Sequence, residues 1–160
     1  MQKDRVAVQF LANAANERFA RIVAGAYAAR LNPTVRELED IRTAVSEAVT
    51  NAIIHGYEGQ EDRSIELDVW VENQRTVAVC VRDFGVGIAD VPRAMEPFYT
   101  SKPELERSGM GFTVMCSFMD ELIVHSTPGV GTTVIMRKHI GCSESEESLQ
   151  NCSKKIERNT

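Results

Sequence analysis

Hydrophobic positions along the chain follow two periods, and the switches between them mark out its elements. Val6, Val8 and Phe10 alternate with Arg5, Ala7 and Gln9, the pattern of a half-buried strand. Over residues 14 to 31, Phe19, Ile22, Val23, Ala26 and Tyr27 recur at helical spacing and leave Arg18 and Arg21 off the stripe, which predicts a first helix. Asn32-Pro33 breaks it, and Thr34 followed by Glu37 reads as a capping box that opens a second helix near residue 35. Leu38, Ile41, Val45, Ala48, Val49 and Ala52 advance along that helix by threes and fours, and Gly56 is placed to end it. Ile65, Leu67, Val69 and Val71 then alternate with Ser64, Glu66, Asp68 and Trp70, as Val77, Val79 and Val81 do with Ala78, Cys80 and Arg82. These are two strands, joined by a hairpin at Asn73-Gln74.

Residues 84 to 108 hold three of the five prolines and little periodicity, and so long a connection in a small domain is expected to be a functional loop or lid. A helix is predicted over 109 to 120 with Phe112, Met115, Phe118 and Met119 inward, then strands at 121 to 126 and 131 to 139 around the turn Thr127-Pro128-Gly129. From Gly141 the chain is polar and nearly free of large apolar residues, so residues 1 to 140 are expected to form one domain and 141 to 160 a disordered tail. No internal repeat is evident.

Composition narrows the class. With 160 residues, 43% apolar and 26% charged, the chain suits one globular unit with its own core. A net charge of −5 argues against a general nucleic-acid binder, which needs Lys and Arg to replace phosphate counterions. No uninterrupted apolar run approaches the ~20 residues of a membrane span, and residues 1 to 10 lack a signal-peptide stretch, so the cytoplasm is expected. Cys80, Cys116, Cys142 and Cys152 show no CxxC pair and no zinc-ligand spacing with His55, His125 or His139; Cys80 and Cys116, in apolar segments, read as buried thiols.

Candidate chemistry begins in SEAVTNAIIHGY, residues 46 to 57. Glu47 and Asn51 lie one turn apart on the edge of the second helix's apolar stripe, close enough to act on one ligand. On a helix alone such a pair is ordinarily solvated decoration. Strand parity, however, puts Asp83 on the same face as Val77, Val79 and Val81, aiming an acid at the core side where the strand ends, and a buried carboxylate needs a partner. Three G-x-G pairs follow: Gly85-Val86-Gly87, Gly109-Met110-Gly111 and Gly129-Val130-Gly131. Each alone is explained by a tight turn. Together they are more specific, since the first follows Asp83 and the second opens a helix, where free N–H groups favour phosphate. An adenine amino group would supply the hydrogen bond that Asp83 lacks.

In order, SEAVTNAIIHGY, RDFGVGI, PFYTSKPELERSGMGF and GVGTTV resemble the N box and glycine boxes of the ATPase superfamily of gyrase, Hsp90, histidine kinases and MutL. Within it, residues 5 to 140 resemble the sporulation anti-sigma serine kinases of Bacillus-type bacteria, TSKPELERSGMGF most closely. The resemblance implies an α+β fold, a two-layer sandwich of a mostly antiparallel mixed sheet with helices on one face, the Bergerat ATP-binding fold. It implies ATP/ADP and Mg²⁺ as cofactors, with Asn51 on the metal and Glu47 as general base toward a serine hydroxyl. Asp83 would read the adenine amino group, with Gly85 and Gly87 allowing close approach of the chain. Thr100, Ser101, Lys102 and Arg107 belong to the lid; Ser108, Gly109, Met110, Gly111 and Phe112 would wrap the phosphates. Thr132 or Thr133 would complete the adenine end, and strand parity places Thr132 with Val134 and Met136.

The partners implied are sigma factor F, held in the ATP state, an anti-anti-sigma factor phosphorylated on serine, and a second copy of the chain in a homodimer. Arg21 matches a position that contacts both protein partners; an ordinary solvated arginine reads equally well from the sequence. General-stress anti-sigma kinases share the fold and N box but have a different lid. A histidine-kinase catalytic domain would want an upstream helical dimerisation segment bearing the phosphoacceptor histidine, for which the first 34 residues leave no room. An ATP-gated binding module that has lost transfer is the non-enzymatic alternative, against which Glu47 beside Asn51 argues. A gyrase-like or Hsp90-like clamp would need further domains to move.

Overall fold

The computed structural model of the chain describes residues 4–99 and 110–141. Five strands, β1 (Arg5–Leu11), β2 (Ser64–Glu72), β3 (Thr76–Asp83), β4 (Glu121–Thr127) and β5 (Gly131–His139), form one sheet in the order β1-β2-β3-β5-β4. Every pairing is antiparallel, the limiting case of the mostly antiparallel sheet expected. Helices α1 (Ala14–Ala28), α2 (Val35–Asn51) and α4 (Gly111–Phe118) supply the second layer, and a single turn, α3 (Val91–Ala94), interrupts the connection after β3.

The core lies between the layers because each element turns one periodic face inward. Ile65, Leu67 and Val69 of β2, Val77, Val79 and Val81 of β3, Ile41, Val45 and Val49 of α2 and Met115 of α4 are all fully buried in one cluster. The same alternation carries Asp83 to the inner face at the end of β3, where it too is buried. Asn73 and Gln74 both take left-handed backbone (φ 51 and 61) in the three-residue turn, 73 to 75, that joins β2 to β3, with Glu72 paired to Thr76.

The capping box forms as the sequence predicts: the Glu37 N–H donates to Thr34 Oγ1 at 3.1 Å and the Thr34 N–H donates to Glu37 Oε2 at 2.7 Å. Glu37 Oε1 also accepts from the Gly141 N–H at 2.7 Å, tying the end of the described chain to the start of α2. Thr34→Ala is therefore expected to lower stability by about 1 kcal/mol, measured as a shift of the urea midpoint at unchanged slope. An unshifted midpoint would show that the cap contributes nothing.

The buried face of α1 differs from the expected one. Ala20, Ala24, Tyr27 and Ala28 are buried, whereas Phe19 (45% exposed), Ile22 (62%) and Ala26 face outward. At Gly25 the helix runs close to α2, where a Cβ would stand 2.5 Å from Arg42 Nε, and most of its buried positions are small residues, with Tyr27 beside them. Of the predicted stripe, Val23 and Tyr27 turn inward and Phe19, Ile22 and Ala26 do not. Phe118, expected inward, is half-buried, while Met115 and Met119 fill the core. Cys80 is a free, buried thiol; Cys116 is half-buried and disulfide-bonded, so only one of the two expected thiols is found. Among the described residues no helix is long and apolar enough to cross a membrane. The expected tail over residues 142 to 160 lies outside the described residues.

Candidate functional site

Asp83 closes β3 opposite Thr132 of β5 and is only 6% exposed. Its Oδ1 accepts two backbone N–H groups, from Gly85 at 2.9 Å and from Thr132 at 3.3 Å. Burial pushes its pKa above the ordinary carboxylate value, and the two N–H donors oppose that rise without cancelling it. The chain is packed closely around this acid. A Cβ at Gly56 would lie 2.8 Å from Asp83 Cγ, and one at Gly85 would lie 1.9 Å from the Gly56 oxygen. Gly87 has φ +72, and a Cβ there would lie 2.2 Å from the Thr127 oxygen, so both glycines of the first pair are required by contact and the second by conformation too.

From the other side α2 brings Asn51 to the same place. The helix does not stop there: Ala52–Gly56 continue as a π-helical turn closed by the Tyr57 N–H on the Ala52 oxygen at 2.8 Å. Such turns are uncommon and tend to sit at functional sites. Tyr57, buried at its end, accepts the Phe84 N–H on its hydroxyl at 2.7 Å and donates to the Ser64 oxygen. The Val86 N–H donates to the Gly56 oxygen at 2.9 Å and the Gly129 N–H to the Val86 oxygen at 2.8 Å. The loop after Asp83 is thereby laced to α2 and to the β4–β5 turn.

A cavity of about 440 Å³ opens between these parts, within the size range of small-molecule sites. Asn51, Asp83, Gly87, Gly111, Phe112 and Thr132 all line it. Gly111 starts α4 so close to Asn51 that a Cβ would stand 3.0 Å from the amide oxygen. Among the described residues no side chain caps the N-terminus of α4, and the first N–H groups of a helix favour an anion.

The other sequence-predicted residues fall outside this lining. Glu47 is half-buried on α2 one turn before Asn51, and Gly85 and Met110 flank lining residues. Thr133 points to the opposite face of the sheet, where its Oγ1 accepts from Arg82 Nε at 3.4 Å; strand alternation leaves Thr132 to face the cavity. Arg21 lies on α1 in an ion pair with Glu17 at 3.2 Å. Thr100, Ser101, Lys102, Arg107, Ser108 and Gly109 lie outside the described residues. The sequence reading missed His55, Glu58, Ile88, Asp90 and Tyr99, which also line the cavity. His55, four residues beyond Asn51, could have been found by helical spacing; the loop residues carry no such signal.

This fold and cleft define a histidine kinase-like ATPase domain: the family model so described matches residues 10–138, and the chain belongs to that family. Two solved structures share the fold, the RsbU and RsbW domains of a Mycobacterium tuberculosis protein (TM-score 0.60, 17% identity, 86% of this chain and 32% of that one) and a blue-light activated histidine kinase domain from Erythrobacter litoralis (TM-score 0.53, 18% identity, 84% and 65%). Within the family, the chain is 51% identical over 138 residues to the anti-sigma F factor of Halalkalibacterium halodurans, covering 86% of this chain and 94% of that one. It is also 49% identical to that of Clostridium beijerinckii (86% and 96%) and 51% identical to that of Geobacillus kaustophilus (89% and 97%). The anti-sigma F factors are its branch of the family.

Proposed function

We propose that the chain is a cytoplasmic anti-sigma factor and serine protein kinase that holds sigma factor F when ATP is bound and phosphorylates an anti-anti-sigma factor on serine. The observation that carries this reading is the convergence of Asp83, Asn51 and the N-terminus of α4 on one cavity. A buried acid at one end suits a base with an exocyclic amino group, and the N–H groups that open a helix at the other suit phosphate.

The site also fits Mg²⁺. Asn51 offers one neutral oxygen, and Gly111 keeps the space beside it clear, as its missing Cβ would stand 3.0 Å away. A single protein oxygen suits Mg²⁺, which takes its remaining ligands from phosphates and water. Bound Mg-ATP supplies the phosphoryl group and the neutralising charge. Asp83 and Thr132 orient the base, Gly111 and Phe112 border the phosphates, and Glu47 accepts the proton that the serine hydroxyl loses as its oxygen takes the phosphoryl group and ADP departs. Ser108 and Gly109, with Lys102 and Arg107 of the lid, would complete the phosphate end. The homodimer and the role of Arg21 at the partner surface belong to the same reading. Phe19 and Ile22, exposed on the helix that bears Arg21, add apolar surface there.

Incubation with labelled ATP, Mg²⁺ and candidate anti-anti-sigma factors tests it, scored as phosphoserine. Label on serine is expected. ATP-dependent retention of sigma factor F without any label would instead establish the second reading, a passive ATP-gated module. The position of Glu47 outside the cavity lining is the observation that favours that second reading.

A further inference from the structure

Ser126 of β4 stands behind Thr132 and has no place in the function proposed above. Its hydroxyl makes three contacts: the Ile88 N–H donates to it at 2.8 Å, it donates to the Gly131 oxygen at 3.0 Å, and Thr132 Oγ1 lies 2.8 Å away. A hydroxyl has one proton and two lone pairs. The Ile88 N–H must fill one lone pair, and the Gly131 carbonyl can only accept the proton. Only one arrangement satisfies all three: the Thr132 hydroxyl donates to Ser126, filling the second lone pair.

This fixes what Thr132 can show the cavity it lines. Its proton is committed to Ser126, so only oxygen lone pairs remain. Beside it, Asp83 already holds two backbone N–H groups on Oδ1 and, when ionised, presents acceptors alone. The base end of the cavity therefore offers acceptors and no side-chain donor from this pair. A group at position 6 that donates, such as the amino group of adenine, fits; an oxo group at the same point meets lone pairs with lone pairs.

We infer that Ser126 is a specificity-determining positioning residue: by taking the Thr132 proton it sets the pocket to accept a 6-amino purine and reject a 6-oxo purine. The inference rests on the nucleotide site proposed above and assigns that site a discriminating element it otherwise lacks. Removing the Ser126 hydroxyl frees the Thr132 proton to turn toward the ligand, which relaxes the rejection.

The test is binding of ATP and of inosine 5′-triphosphate, which carries an oxo group at position 6, to the full chain and to Ser126→Ala, Thr132→Val and the double variant, with melting curves to establish folding. Wild type is expected to prefer ATP. Ser126→Ala should weaken both nucleotides, because the Ile88 N–H loses its acceptor, yet contract the ATP preference by about tenfold. In the Thr132→Val background the Ser126 change should leave the preference where Thr132→Val puts it, since Ser126 acts only through the Thr132 hydroxyl. An equal loss for both nucleotides in Ser126→Ala, or an additive change of preference in the double variant, reduces Ser126 to scaffold and overturns the inference. Wild type that binds ATP without preferring it also overturns it and leaves the nucleotide site standing, whereas wild type that binds neither nucleotide sinks both. Should Ser126→Ala not fold, an undiminished preference in Thr132→Val counts against the inference on its own.

Discussion

Glu47→Gln is expected to leave Mg-ATP and sigma-factor binding intact and to slow phosphoryl transfer to serine by about 10²- to 10⁴-fold, the range associated with loss of a positioned general base. The side chain keeps its length and its half-buried setting on α2, so packing against the neighbouring turn is conserved. Proton affinity is what changes: a carboxylate accepts the hydroxyl proton and a carboxamide does not. Asn51, one turn on, is unchanged and keeps the oxygen proposed for the metal, so nucleotide affinity is the control that should not move. Initial rates of phosphoserine formation at saturating ATP measure the effect, and a wild-type rate would strip Glu47 of the role assigned to it.

Asp83→Asn should separate stability from binding. The substitution preserves Oδ1 as acceptor for the Gly85 and Thr132 N–H groups and replaces the other oxygen with a donor. Against an adenine amino group, that donor opposes a donor, and ATP affinity is expected to fall roughly 10- to 100-fold. Stability of the ligand-free protein should move the other way. Because burial raises the Asp83 pKa in the folded state, this group favours folding most below its unfolded pKa, and that contribution disappears as pH rises through the raised folded value. At neutral pH the wild-type chain therefore keeps an unfavourable buried charge that asparagine removes. Thermal melts of the two proteins at pH 4 and pH 7.5 should show the variant gaining relative to wild type at the higher pH. Undiminished ATP affinity would detach Asp83 from the base.

How much of this was legible in the sequence depended on whether a residue's position is set by its own element. Asp83 was legible because two strands of strict alternation fix the face of every residue through to the strand end. The Thr34–Glu37 box and the Asn73-Gln74 hairpin were legible for the same reason, as local hydrogen bonds and local backbone shape decide them. The buried face of α1 was legible only in part: Val23 and Tyr27 turn inward, but the close approach of α2 at Gly25 is a tertiary fact that hydrophobic spacing cannot report. Thr132 and Thr133 stayed undecided because the register of β5 is fixed by pairing Asp83 with Thr132, and that contact spans almost fifty positions. Ser126 went unnoticed since its three contacts join residues from three separate segments.

The insertion of β5 between β3 and β4 bears on how the molecule assembles. Asn51 and Asp83 come early in the chain, but Thr132 and the turn beside it arrive only when β5 slots against β3, the last of the described strands joining the interior of the sheet. Closing so distant a pair carries a loop entropy that local helices and hairpins do not, so the cleft is expected to be completed late in folding. A chain arrested before that step would own its helices and first hairpin yet have no pocket, and nucleotide occupancy would accordingly tighten the whole domain rather than one corner of it.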